Sequence, residues 1–167
     1  MKQQEAFIGN FTMIKIYTSY FYKVRFFKPN IIPVSTAQFD PRWFHDCGPS
    51  DYTFIDKNGI LNGLRAKAFV PGPACQNDCR GPENCHYISD NCAFLRKYRE
   101  QLNALDFNKI IEMFDNSAER LKKLLGLKEE PVFVLMVYEK PDNPCSERVV
   151  IHEWFAANGF PITELEI

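Results

Sequence analysis

The chain has 167 residues, 46% of them hydrophobic and 14% aromatic, which is enough to build one sizeable core. Twenty Lys and Arg residues against twenty-one Asp and Glu residues give a formal net charge of −1. This balance excludes a global positive field that would attract a phosphate backbone, so a nucleic-acid partner would need a local basic patch.

Residues 1–12 do not resemble a signal peptide, because polar side chains such as Gln3, Glu5 and Asn10 interrupt the apolar run. We interpret them as a flexible extension before a single domain at residues 13–167. The longest apolar run elsewhere, Val132–Tyr138, is far shorter than the roughly twenty residues of a membrane helix. We therefore expect no membrane partner and a cytoplasmic protein, whose thiols would stay reduced.

Two strands and two helices are predicted before residue 127. The β-branched and aromatic segments Ile14–Phe21 and Ile31–Thr36 favour strands. Residues 40–73 are rich in Pro, Gly, Asn and aromatic residues, which predicts mostly loop with short pieces of order. After residue 92 the apolar positions recur at threes and fours, which predicts two amphipathic helices that end near Leu105 and Gly126.

The C-terminal third predicts a βαβ unit. Val132–Tyr138 is continuously apolar, as in a central strand covered on both faces. A helix should follow, with Asn143 as its N-cap and Pro144 as its first residue, and Ile162–Ile167 should form the last strand. The fold class predicted is α/β: one three-layer, Rossmann-like domain with a mainly parallel sheet and a cysteine-rich inserted loop.

The inserted loop, residues 75–92, contains four of the six cysteines in the spacing C-x3-C-x5-C-x6-C. Tetrahedral zinc takes four thiolate or imidazole ligands, with Zn–S distances of about 2.3 Å, and cysteines a few residues apart let a loop fold around the ion. The predicted ligands are Cys75, Cys79, Cys85 and Cys92. Four protein ligands would close the coordination shell, so such a zinc would be structural.

Other interpretations of this loop stay open. Neither half has the C-x2-C spacing of a zinc knuckle. An iron–sulfur cluster is the alternative metal site, and disulfides or thiols that line a packed loop are the interpretations without metal.

A candidate small-molecule site follows the central strand. In parallel α/β sheets, ligands bind beyond the carboxyl ends of the strands, where helix N-termini present their amides. Glu139 leaves the strand at this edge and is a candidate acid or base. Cys145, predicted in the first helical turn, is a candidate nucleophile, and Arg148 a candidate anion-binding residue. His152 lies one turn further along and could approach the same site.

The segment PVFVLMVYEKPDNPCSERVVIHEWFAANGFPITEL resembles the DUF488 family, in which a strand is followed by a short turn and a helix that opens with Cys, His and Arg. MIKIYTSYF and IIPVSTAQFDPRWF are similar to the family's first two strands, so the resemblance covers most of the chain from Met13. The family's Cys-His-Arg is Cys-Ser-Glu-Arg here. The resemblance implies a Rossmann-like fold, a ligand pocket at the strand ends, and site positions at Glu139, Cys145 and Arg148.

Three functions are compatible with the sequence. The first is binding of, or reaction with, an anionic small molecule such as a nucleotide at the strand ends. The second is a nucleic-acid-associated module with a structural zinc loop. Its basic and aromatic candidates are Arg65, Lys67, Arg80, Arg96, Lys97, Arg99, Tyr87 and Tyr98. The third is a partner-docking domain without catalysis.

The metal hypothesis predicts about one zinc per chain in protein purified anaerobically without chelator, measured by plasma mass spectrometry. Replacing Cys79 and Cys85 by Ser should remove the metal and destabilise the fold, because metal binding and folding are coupled. Iron with matching sulfide would indicate the cluster instead. A metal-free protein of unchanged stability would contradict both metal sites.

Overall fold

The computed structural model describes residues 14–44, 54–55, 61–62, 64–76 and 92–167, so the predicted N-terminal extension lies outside the described residues. The strands are β1 Lys15–Tyr20, β2 Ile31–Ser35, β3 Phe54–Ile55, β4 Leu61–Asn62, β5 Leu64–Arg65, β6 Val132–Val137 and β7 Thr163–Glu164. The α-helices are α1 Pro73–Gln76, α2 Ala93–Asn103, α3 Phe107–Leu125 and α4 Glu147–Ala157, and the 3-10 helices are Phe21–Phe26 and Lys67–Phe69.

Five of the strands form an all-parallel sheet in the order β5-β2-β6-β1-β7. The continuous apolar run of β6 lies in the middle, between β2 and β1, which confirms the prediction of a central strand. The α/β class with a parallel sheet is likewise confirmed. Strands β3 and β4 pair antiparallel in a separate two-stranded sheet.

Strand β6 is apolar throughout because both faces of the sheet are covered. On what we term the helical face, Phe133 and Leu135 belong to the main core cluster, which also contains buried residues of α2, α3 and α4. On the opposite face, Val134 and Met136 pack with the 3-10 helix residue Phe21 and with other buried side chains of a smaller cluster. The two layers that flank the sheet are therefore unequal, with the three long α-helices on one side.

The chain connections leave β2 and β6 in opposite directions. After β2 the chain passes Ala37 and Phe44, which pack on the opposite face, and it continues to β5. After β6 it forms α4 on the helical face and crosses over β1 to β7. Crossover connections between parallel strands are nearly always right-handed, so connections that run toward opposite edges of a sheet lie on opposite faces of it. The crevice between two adjacent strands whose connections diverge is where open α/β sheets bind their ligands.

Helix α3 begins and ends where its local signals are strongest. Asp106 is the N-cap, and its side chain accepts a hydrogen bond from the Lys109 amide at 3.3 Å. Gly126 ends the helix in the left-handed conformation with φ of 61°, as a C-terminal glycine does. The predicted end near Gly126 is therefore confirmed.

Helix α4 begins later than the sequence predicted. Asn143 is not its N-cap and Pro144 is not its first residue; Ser146 is the cap, and its Oγ accepts from the Arg148 amide at 3.2 Å. Asn143 Oδ1 instead accepts from the Cys145 amide at 2.9 Å, which is a local turn. Asn and Ser are equally good caps, and here the serine is the one used.

Strand β2 carries a proline, Pro33, in the interior of the sheet. The Thr36 amide donates to Met136 of β6 and the Ser35 carbonyl accepts from Ala66, so alternate residues of β2 face β6 and β5. By this alternation Pro33 faces the β5 side, where the pairing with β5 covers only Val34 and Ser35. Its missing N–H therefore falls where β5 offers no partner.

Gly126→Ala should destabilise the protein by about 1 kcal/mol in urea denaturation, because a Cβ at positive φ strains the backbone. A Cβ at this position would meet nothing within 4 Å, so the cost is one of conformation rather than of collision. Gly126→Asn is the matched control, since Asn tolerates the left-handed region, and it should cost clearly less. Equal losses for both variants would contradict this explanation.

Candidate functional site

A cleft of ≈ 370 Å³ lies at the carboxyl ends of β2 and β6, where their connections diverge. One wall comes from the chain after β2, and the other from the end of β6 and the first residue of α4. The lining residues are Ala37, Gln38, Phe39, Val137, Tyr138, Glu139 and Glu147. Fold and cavity therefore indicate the same place, the crevice where α/β sheets bind ligands.

Two carboxylates, Glu139 and Glu147, line this cleft. Ser146 Oγ donates to Glu139 Oε2 at 3.1 Å, which ties the Glu139 side chain to the start of α4. Burial, with repulsion from Glu139, raises the pKa of Glu147 from 4.5 to about 7, although its own backbone N–H and Arg148 oppose the shift. Glu147 can therefore exist with or without its proton near neutral pH.

Arg148 is buried, and its guanidinium is occupied by contacts within the protein. Its Nε and one terminal nitrogen donate to Glu164 at 2.8 and 3.3 Å, a bidentate ion pair. The terminal nitrogens also donate to the Glu139 carbonyl at 2.8 Å and to the Lys140 carbonyl at 3.1 Å. These bonds use four of the five guanidinium N–H groups, so Arg148 fixes the backbone that carries Glu139.

The ion pair extends into a partly buried network on the helical face. Thr18, on β1, donates to Glu164 Oε2 at 2.7 Å, and its Oγ1 lies 2.6 Å from His152 Nε2. Because the single hydroxyl proton of Thr18 goes to the carboxylate, His152 Nε2 must be the donor of the second bond. His152 thus joins Arg148 through Glu164 and Thr18. Burial lowers the pKa of His152, with Arg148 adding to the effect and Glu164 opposing it.

The second and third residues of α4 do not present unused amides. The Arg148 N–H donates to Ser146 Oγ, and the Val149 N–H donates to the Ser146 carbonyl. The predicted anion site depended on these amides and on Arg148. Both sets of donors are already bonded, and the side chains with formal charge in the cleft lining are carboxylates.

Cys145 does not lie in the first helical turn, as the sequence analysis placed it. It comes one residue before the cap Ser146, so the premise for a thiolate activated by the helix N-terminus is wrong. Among the predicted site residues, Glu139 lines the cleft, Arg148 holds the loop behind it, and Cys145 is half-buried in the turn between them.

Two of the four predicted metal ligands lie in the described part of the chain. Cys75 and Cys92 are both buried in the main core cluster, and the Cys75 thiol donates to Gln101 Oε1 at 3.7 Å. Cys79 and Cys85 lie outside the described residues. Among the residues that are described, no three His, Cys, Asp or Glu side chains form a group that could hold a metal. Zinc at residues 75–92 therefore stays a prediction.

The predicted nucleic-acid face is only partly within the described chain, since Arg80 and Tyr87 lie outside it. Tyr98 is fully buried, and its hydroxyl donates to the Phe69 carbonyl at 2.6 Å, so it cannot stack on a base. Arg65 pairs with Asp40, and Arg99 pairs with Glu153. These contacts weaken the case for a basic face without testing it.

A second cavity, of ≈ 440 Å³, runs between α3 and the β2–β5 edge of the sheet. Arg65, Lys109 and Arg120 line it together with Glu112 over an apolar floor. Its lining is more basic than that of the strand-end cleft, although Arg65 is paired with Asp40, so an anionic compound would meet more favourable charge here than in that cleft.

No helix in the described ranges is long and apolar enough to cross a membrane.

No protein-family model matches the chain, and no curated protein or solved structure matches it significantly. The DUF488 resemblance therefore stays a prediction that rests on the quoted segments. The chemistry of the site has to be argued from its own residues.

Glu147 lines the cleft and is not among the site residues predicted from the sequence. The signal that identifies it is the cap: with Ser146 as N-cap, Glu147 takes the first helical position, next to the end of β6. Thr18 and Glu164 were also missed, because β1 is a strand of mixed polar and apolar residues and β7 is only two residues long, so neither side chain is distinguished in the sequence.

Glu147→Gln should make stability less sensitive to pH. Between pH 4.5 and about 7 the folded protein keeps a proton on Glu147 that the unfolded chain has released, so the stability of the native protein falls as pH rises. At pH 8 the free energy of unfolding of the variant, measured by urea denaturation, should therefore exceed that of the unsubstituted protein by about 1–2 kcal/mol. At pH 5 the two free energies should be nearly equal.

His152 also has a shifted pKa, which is lowered, but it is present in both proteins. Its effect on stability therefore cancels when the free energies of unfolding of the two proteins are subtracted. Glu166→Gln, an exposed acid in the C-terminal segment, is the control and should leave both measurements unchanged. A gain in stability of equal size at pH 5 and pH 8 would show that Glu147 is not the titrating group.

Proposed function

We propose that the chain binds a small molecule in the cleft at the ends of β2 and β6, and that Glu147 exchanges a proton with it. The observation that carries the proposal is the position of Glu147: it lines a cleft at the divergence of the strand connections, and its pKa is raised to about 7. An acid or base works best when its pKa is close to the pH at which it acts.

Glu139, the second carboxylate of the cleft, influences whether Glu147 carries a proton. Two nearby carboxyl groups resist losing both protons, so one tends to stay protonated while the other is ionised. Ser146 donates to Glu139 Oε2, a bond that ties this side chain to the start of the helix that carries Glu147. Glu147 is the group that takes and gives the proton, and Glu139 is the charge beside it.

The charge of the lining selects the ligand. Glu139 and Glu147 would repel a phosphate, while the Arg148 guanidinium and the amides of the second and third residues of α4 have acceptors of their own. The contacts therefore favour a neutral or cationic ligand with N–H donors over the anionic ligand expected from the sequence. An anionic compound such as a nucleotide would be better served by the basic cavity beside α3.

Calorimetry in two buffers tests the proposal. The probes are small amines, amides and nitrogen heterocycles with their phosphorylated counterparts, first screened by ligand-observed NMR. At pH 7 the binding enthalpy of an unphosphorylated probe should differ between phosphate buffer and Tris, because Glu147 is about half protonated in the free protein and a bound ligand that fixes its protonation state makes it take up protons from the buffer or release them to it. Glu147→Gln should abolish this difference, and Glu166→Gln should preserve it.

Three results would overturn the proposal. One is that no unphosphorylated probe binds, and another is that the buffer dependence survives in Glu147→Gln. The third is that phosphorylated probes alone bind and shift the amide signals of Lys109 and Arg120, which would move the site to the cavity beside α3.

A further inference from the structure

The carboxyl edge of the sheet is rich in exposed aromatic rings. Five aromatic side chains follow the ends of β1, β2 and β6 and are among the exposed large hydrophobic residues of the described chain: Tyr22, Phe26, Phe39, Trp43 and Tyr138. Phe39 is 73% exposed and Tyr138 is 52% exposed, and these two line the cleft that contains the carboxylates.

The Tyr138 ring is held in place from behind, and its hydroxyl holds the backbone of Phe39. This hydroxyl donates to the Phe39 carbonyl, which fixes the chain after β2 against the end of β6. The Tyr138 ring packs on the buried ring of Phe21 with centroids 4.8 Å apart, and Phe21 packs in turn on Phe44 at 5.2 Å. An aromatic ring that is already fixed loses little conformational freedom when a flat ligand binds to it.

The carboxyl pair offers a donor and an acceptor side by side. A protonated carboxyl group donates one hydrogen bond, and an ionised one only accepts. Glu139 and Glu147 line the same cleft, and Ser146 ties the first of them to the helix that begins with the second. This arrangement complements an edge on which a ring nitrogen acceptor stands next to an amino donor.

We infer that the cleft binds a planar nitrogen heterocycle of the nucleobase type, with its ring face on Phe39 and Tyr138 and its nitrogen edge toward Glu139 and Glu147. The inference rests on the proposed function, because it names the ligand class of the same cleft. The ring supplies the aromatic contact, and the amino group beside a ring nitrogen supplies the donor and acceptor that the carboxyl pair requires. The class comprises aminopurines and aminopyrimidines, as free bases or with a sugar attached.

Four probes separate the two parts of this recognition. Adenine and cytosine, with their nucleosides, have both the ring and the amino edge. N6,N6-dimethyladenine keeps the ring but lacks the amino donor, and cyclohexylamine keeps a donor but lacks a flat ring. Affinities are measured by NMR titration of the labelled chain, with the amide signals of residues 37–39 and 137–139 as the reporters of the cleft.

Adenine or cytosine should bind, and N6,N6-dimethyladenine should bind at least tenfold more weakly. Phe39→Leu should weaken the base about five- to hundredfold, the range of a lost aromatic stacking contact. Phe26→Leu is the matched control, since Phe26 is also an exposed phenylalanine but does not line the cleft, and it should leave the affinity unchanged.

The outcomes distinguish this inference from the proposed function. If cyclohexylamine binds as tightly as adenine with a proton linkage that needs Glu147, and Phe39→Leu changes nothing, the ligand class is wrong and the proposed function stands. If bases bind with the same affinity in Phe39→Leu, or shift signals elsewhere, the inference also fails. If neither bases nor amines shift the cleft signals, both fail.

Discussion

The ion pair between the buried Arg148 and the half-buried Glu164 is the interaction on which the site depends. It joins α4, the edge strand β7 and the turn after β6, since the same guanidinium also holds the carbonyls of Glu139 and Lys140. A buried charge pair recovers its desolvation cost only when its other polar atoms are bonded as well. The network through Thr18 and His152 meets this requirement, so the cleft carboxylates are placed by groups that do not line the cleft.

Local patterns in the sequence were enough to predict the architecture. The unbroken apolar run at Val132–Tyr138 specified a strand buried on both faces, and such a strand lies in the middle of a sheet. The end of α3 was readable because glycine is the residue that adopts positive φ without strain, and Gly126 does so. Both signals act within a few residues of the chain, and tertiary contacts reinforce them.

The site was less predictable because its groups come together over long separations in sequence. Glu139 was placed correctly because it directly follows the central strand. Arg148 was assigned to a ligand because its true partner, Glu164, is an acid on an edge strand whose register is not visible in the sequence. Cys145 was placed in the helix because Asn143 and Pro144 form a plausible helix start, and the competing cap at Ser146 prevailed.

Pro33 has a consequence for which residues position 33 can accept. The proline is buried, and on the β5 side of β2 it lies beyond the two residues that pair with β5. A buried backbone N–H needs a hydrogen-bond partner, and proline has no N–H to satisfy. Any other residue at this position would bury an amide that β5 does not pair, so the proline lets β2 continue past the end of its neighbour without that cost.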